Sequence, residues 1–207
     1  MSFSIGIVGL PNVGKSSLLN AIMGEKRVIT SPIPHTTREP QDTLLAYKEK
    51  TIKLIDTAGI SRKGAPKSKT DKYREIKTED DLIKRGIEKS LGSLKRSDIV
   101  LFVIDISEPL VRQDLRVLEE IVERRKSLII IANKWDKIPE RDSKKYTGLL
   151  RAKLPFVSWA PIIFLSAQNK TKINQLLDLI LESARARNAQ IAAEELAIFL
   201  QSAARHA

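Results

Sequence analysis

The run Gly9-Leu10-Pro11-Asn12-Val13-Gly14-Lys15-Ser16 sets two glycines around a short loop and ends it on lysine and serine. That spacing suits a loop that wraps a phosphate chain. Glycine lets backbone approach anionic oxygens closely. The N–H groups of residues 12 to 17, Ser17 included, are expected to surround a β-phosphate. The helix that follows adds the partial positive charge of its N-terminus. Lys15 should reach the β- and γ-phosphates, and Ser16 should ligate Mg²⁺, a hard ion that prefers oxygen. A glycine-rich turn without a ligand is the plainer alternative. The position directly after an apolar strand and before a helix favours phosphate.

Asp56-Thr57-Ala58-Gly59 ends another strand. There Asp56 can hold Mg²⁺ through water, and the Gly59 N–H can bond a γ-phosphate, so the loop can sense that phosphate. Thr36-Thr37-Arg38 lies between the first helix and the second strand. A threonine hydroxyl there can ligate Mg²⁺ only while the γ-phosphate is bound, and Thr37 is preferred over Thr36. Pro32, Pro34 and His35 agree with a loop, and His35 reads as a surface histidine rather than a catalytic one.

Asn133-Lys134-Trp135-Asp136 follows a strand. The Asp136 carboxylate can accept from both N1–H and the 2-amino group of guanine. Adenine offers neither donor and would leave a buried charge unpaired. Lys134 can lay its aliphatic stem along the base, and Asn133 can tie loops together. Ser166-Ala167, after the last strand, can offer a backbone N–H to guanine O6. An ATP-using kinase on the same scaffold would explain neither Asp136 nor Ser166-Ala167.

These residues need a scaffold, and its elements are legible. Short apolar strands alternate with helical patterns, the signature of a parallel α/β sheet. Strands are expected at 3–8, 43–47, 51–55, 99–104, 128–132 and 162–165. The second and third flank a short turn and read as a hairpin, so one strand should run antiparallel. Helices are expected at 15–23, around Leu115, Leu118 and Val122, and around Ile173, Leu176, Leu177, Ile180 and Leu181. Ala192, Leu196, Phe199 and Ala203 form a stripe on a terminal helix, expected to pack on the domain or on a partner. Residues 60 to 78 carry seven basic residues against two acids and read as a mobile basic loop.

The chain has 207 residues, enough for one α/β domain with a small appendage. No apolar run approaches the roughly 20 residues that span a bilayer. The first residues lack a basic region and run straight into the phosphate loop, unlike a signal peptide. No cysteine is present, which excludes disulfides and thiol catalysis and fits a reducing cytosol. A net charge of +11 points to a polyanionic partner such as RNA or an anionic surface.

The motifs in this order resemble bacterial G proteins of the Era/Der group, and most closely the second G domain of the Der (EngA) family. Asn-Lys-Trp-Asp itself, the Arg62-Lys63 pair and Gln113-Asp114-Leu115-Arg116 carry that likeness, which covers roughly residues 3 to 183. The tail from Ile191 to Ala204 resembles the start of the KH-like domain that follows in that family. The resemblance implies a Ras-like G domain that hydrolyses GTP and assists assembly of the large ribosomal subunit. It also implies that Asn12 helps to bind K⁺ beside the phosphates. Ile60 stands where many GTPases carry a water-positioning glutamine, so slow intrinsic turnover is expected. His35 and Glu39 replace a glycine and an aspartate usual beside Thr-Thr-Arg, and the segment 64–81 is longer than the family's second switch. One G domain fits in this length, without a second one or a complete KH fold.

The expectation is a P-loop, Ras-like α/β domain over 1–184, with a mostly parallel six-stranded sheet, and a helical extension over 185–207. It should bind and hydrolyse GTP with Mg²⁺, and with K⁺ by resemblance, in the cytoplasm, in contact with ribosomal RNA or a pre-ribosomal particle and with no membrane. The alternative is a nucleotide-gated RNA or protein adaptor that hardly turns over. Lys15, Thr37, Gly59 and Asn12 are the expected catalytic set.

Overall fold

The computed structural model describes residues 2–26, 28–32, 42–55, 92 and 94–205. Seven strands form one sheet: β1 (Ser2–Val8), β2 (Ile29–Pro32), β3 (Thr43–Tyr47), β4 (Lys50–Leu54), β5 (Ile99–Asp105), β6 (Ser127–Asn133) and β7 (Ile162–Phe164). Their order is β2-β3-β4-β1-β5-β6-β7. β3 runs antiparallel to both neighbours, and the other pairings are parallel. All six expected strands are present, with the one antiparallel strand where the hairpin placed it. β2 adds a further strand at the edge. Pro32, expected in a loop, ends β2, where an edge strand tolerates its missing N–H.

Among the described residues, the α-helices with both ends in view are α1 (Lys15–Met23), α2 (Arg112–Glu123), α3 (Ser143–Lys153), α4 (Ile173–Arg187) and α5 (Ala193–Ala204). Helices cover both sheet faces, which is why β5 and β6 are apolar almost without interruption. Alternate residues serve different cores. Ile5, Ile7, Leu101, Val103, Ile129 and Ile131 pack under α1 and α4. Val8, Val100, Phe102, Ile104, Leu128 and Ile130 pack under α2 and α3. α4 buries Ile173, Leu176, Leu177, Ile180, Leu181 and Ala184, a 3-then-4 stripe along one face. Each such Leu or Ile contributes about 1.5–3 kcal/mol of burial free energy. α3 starts at Asp142, whose Oδ1 accepts from the N–H groups of Lys144 (2.9 Å) and Lys145 (3.0 Å).

α5 forms as the apolar stripe predicts, but it does not pack on the domain. No residue of it is buried, and Ile198, Phe199 and Leu200 lie open to solvent. Among the described residues, no helix is long and apolar enough to cross a membrane.

Candidate guanine-nucleotide site

The site lies at the C-terminal ends of β1, β5 and β6, where parallel sheets present ligands to their loops. The phosphate loop leaves β1 at Val8 and enters α1 at Lys15. Gly9 has φ +149°, and a Cβ there would lie 2.3 Å from the Val103 carbonyl oxygen. Gly14 has φ +100° and caps α1. Between them Asn12 takes φ +65°, a left-handed turn that asparagine tolerates. Val13 is buried against the core, while Pro11 and Asn12 are exposed.

α1 has neither an acidic residue in its first turn nor a side-chain cap. The leading N–H groups of a helix lie outside its own i to i−4 ladder and point along its axis. An anion is the complement to that end. Lys15 Nζ donates to the carbonyl oxygens of Gly9 (2.8 Å) and Leu10 (2.5 Å), which holds the ammonium across the loop.

Asn133 joins three loops. Its Nδ2 donates to Val13 O at 2.8 Å, and its Oδ1 accepts from the Ala167 N–H at 3.0 Å. The phosphate loop, the Asn133–Asp136 turn and Ser166-Ala167 are thus one unit, as expected of a residue that ties loops. The Ser166 turn is closed in its own right: Ser166 N donates to Thr171 Oγ1 (3.0 Å), and Thr171 N to Ser166 O (3.0 Å).

Lys134 has φ +61° and opens a single 3₁₀ turn, Trp135–Lys137. Trp135 is its anchor. The indole is buried edge-on to Tyr146 (centroids 5.2 Å apart) and against Phe164 (4.6 Å). Arg141 clamps the turn from outside, donating to the carbonyls of Asp136 (3.0 Å) and Ile138 (3.2 Å). Asp136 Oδ1 is buried and accepts from no donor among the described residues. A buried, unpaired carboxylate oxygen costs free energy, which a donor from outside would relieve.

Three residues here, Asp105, Ser107 and Arg141, escaped sequence reasoning, and Asp114 was read only as part of the motif at 113–116. Lys134 Nζ pairs with Asp105 Oδ2 at 2.5 Å, and Asp105 Oδ1 accepts from Ser107 N (3.1 Å) and Oγ (2.6 Å). Burial pushes the Asp105 carboxyl up, but the Lys134 ammonium and the Ser107 donors outweigh it and hold it below the usual carboxylate range. Asp114, at the start of α2, accepts from Val111 N (3.1 Å) through Oδ2, while Oδ1 accepts from no donor among the described residues. Its burial pushes its carboxyl up, only partly offset by the Val111 bond. Arg141 gave no signal at all. Asp105 did: it is an acid closing an apolar strand that pairs with the strand of the guanine loop.

Thr36, Thr37, Asp56, Thr57, Ala58, Gly59, Ile60 and the basic loop 60–78 lie outside the described residues. The geometry therefore unites Gly9 to Ser17, Asn133, Lys134, Asp136, Ser166 and Ala167.

With that arrangement in view, similarity to known proteins becomes informative. Residues 4–134 match the 50S ribosome-binding GTPase family. The chain belongs to that family. Residues 87–186 also match the elongation factor Tu GTP-binding domain. GTPase Der of Rippkaea orientalis is 39% identical over 202 residues, 96% of this chain and 42% of the relative. GTPase Der of Thermodesulfovibrio yellowstonii is 43% identical over 180 residues, 85% of this chain and 39% of the relative. The chain thus spans about two fifths of these relatives' length. The likeness to Der read from the motifs stands, and it covers one G domain. Among solved structures, Era in complex with MgGDPNP and nucleotides of 16S ribosomal RNA is similar at a TM-score of 0.60 and 29% identity, over 88% of this chain and 56% of that one. The fold is that of the P-loop G domain.

Proposed function

We propose that this chain binds GTP with Mg²⁺ and hydrolyses it to GDP and phosphate, in the cytoplasm, in the service of large ribosomal subunit assembly. The observation that carries it is the orphaned Asp136 oxygen, held in one hydrogen-bonded unit with the phosphate loop through Asn133. A base with two adjacent donors, guanine, satisfies that carboxylate; adenine does not. The N–H expected to meet guanine O6 is engaged in this structure, Ala167 N by Asn133 Oδ1 and Ser166 N by Thr171 Oγ1, so Ala167 would have to release Asn133 to reach the base; the lysine stem would lie along the ring.

Ser16, Thr37 and Asp56 offer hydroxyl and carboxylate oxygens, the donor set that a hard divalent cation prefers. Bound Mg²⁺ would balance charge on the β- and γ-oxygens. Water attacks the γ-phosphorus, the bond to the bridging β–γ oxygen breaks, and GDP leaves with that electron pair while a water proton passes to solvent. Lys15 and the N–H groups of the loop stabilise the charge that develops on the transferring group. Gly59 would sense the γ-phosphate, and Asn12 would help to hold K⁺. Ile60 cannot orient water, so turnover is slow without a partner.

The family description, the Der relatives and a net charge of +11 support a ribosomal RNA or pre-ribosomal partner. The same charge favours the second reading, a nucleotide-gated adaptor with little turnover. The last buried residue of α4 is Ala184, which supports a G domain over 1–184 and an extension over 185–207.

Steady-state GTP hydrolysis with Mg²⁺, in matched KCl and NaCl and with ATP as control, tests this. GTP-specific turnover that rises in K⁺ supports the enzyme and Asn12 as cation ligand. GTP-specific binding without multiple turnover in either salt selects the adaptor.

A further inference from the structure

The base-side lysine is not held by its own loop. Its ammonium reaches across from the end of β6 to the end of β5, where Asp105 Oδ2 receives it at 2.5 Å. Asp105 itself cannot turn away, because Ser107 donates both its N–H and its hydroxyl to the other carboxylate oxygen. The pair is largely shielded, with 26% of the Lys134 side chain and 12% of the Asp105 side chain exposed. It lines a cleft of about 370 Å³ that the phosphate-loop residues Leu10 to Val13 also line. Asp105 closes β5 and Lys134 directly follows β6, two strands locked in parallel register with Asp105 opposite Asn133.

We propose that Asp105 is a positioning residue for nucleotide binding, which acts by anchoring the Lys134 ammonium so that the lysine stem is already laid out for the base. A lysine on a flexible four-carbon stem loses rotamer freedom when it settles on a ring. An anchored stem has lost that freedom before the ligand arrives, so less affinity is forfeited on binding. Ser107 fixes the anchor in turn. The proposal rests on residues 133–136 being the guanine loop.

The test is a double-mutant cycle read by calorimetric titration with GDP and with GTP, on the full chain. Asp105→Asn is expected to weaken both nucleotides equally, by about tenfold, as loss of one charge-assisted contact predicts. Lys134→Met, which keeps the stem and removes the charge, should weaken them to a similar degree. In the Lys134→Met background Asp105→Asn should cost nothing more, and the preference for GTP over xanthosine triphosphate should be unchanged, since Asp136 is untouched. Ser107→Ala leaves the carboxylate in place and should give a smaller loss in the same direction, a second measure should Asp105→Asn fail to fold. If Lys134→Met weakens binding and Asp105→Asn does not, the anchor is overturned while the guanine loop stands. If the two losses add, Asp105 acts by another route and the proposal is wrong. If Lys134→Met changes nothing, the ammonium and its anchor do not matter and the proposal falls, while the stem, which methionine keeps, can still lie on the base.

Discussion

The Asn133 amide stands where a β-carbon on Gly14 would go: a Cβ built on Gly14 lies 2.2 Å from Asn133 Nδ2. The second glycine of the phosphate loop is thus required by the first residue of the base-reading turn. Gly14→Ala meets both this clash and a φ of +100°. It is expected to break the Asn133 bonds to Val13 and Ala167 and to cost about 2–4 kcal/mol. GDP titration and thermal unfolding should both register it. Nucleotide affinity equal to that of the parent would remove Asn133 from its linking role.

Gly9→Ala should be worse for the fold than Gly14→Ala. The obstructing atom is the Val103 backbone oxygen at 2.3 Å, inside β5, which cannot swing aside as an asparagine side chain can. Soluble expression and the unfolding midpoint report the order, and a Gly9→Ala chain as stable as Gly14→Ala would contradict it.

Lys15→Ala removes the ammonium held across the loop and should weaken GTP by roughly 100-fold or more, as loss of contacts to a highly charged ligand predicts. Unchanged affinity in titration would sink the phosphate site. Asp136→Asn tests the other end: its amide can meet the carbonyl that replaces the guanine 2-amino group in xanthine, so preference should move from GTP to xanthosine triphosphate. Retained GTP preference would argue against the base site.

Asp114 provides a pH test. Burial raises its carboxyl above the ordinary value, so the folded state binds its proton more tightly than the unfolded chain does. The sign follows: its contribution to stability is fully present below the ordinary carboxylate pKa and is lost as pH rises through the raised one. Asp114→Asn, neutral at every pH, should melt above the parent at pH 7, by about 1 kcal/mol of stability. The two melting curves should converge as pH falls. A gap that stays constant with pH would show that the fold does not raise this carboxyl.

Ending the chain after Asn188 removes α5, which buries no residue. The melting midpoint should stay within about 1 °C of the parent, since surface changes of this kind cost under about 0.5 kcal/mol. A large drop would mean that α5 packs on the domain after all.

Much of this was legible in the residues themselves. Continuous apolar runs at 99–104 and 128–132 read as strands covered on both faces, and the structure buries them so. The Ile173 to Leu181 stripe fixed one face of α4 because a 3.6-residue repeat leaves no choice. β2 was missed because four residues ending in proline carry too little pattern, and their strand exists only because β3 offers an edge.

The sequence by itself determined most of the elements, though neither β2 nor α3, together with the two glycines and the order of the nucleotide-binding stretches, because torsional freedom and hydrophobic period are local properties. Only the tertiary structure decided the partners. Setting β1 beside β5 and β5 beside β6 brings Val13 to Asn133, 120 residues on, and Asp105 to Lys134. It also leaves one Asp136 oxygen without a donor among the described residues and leaves α5 uncovered. Each of these depends on which strand ends become neighbours, and hydrogen bonds and ion pairs act only at contact distance.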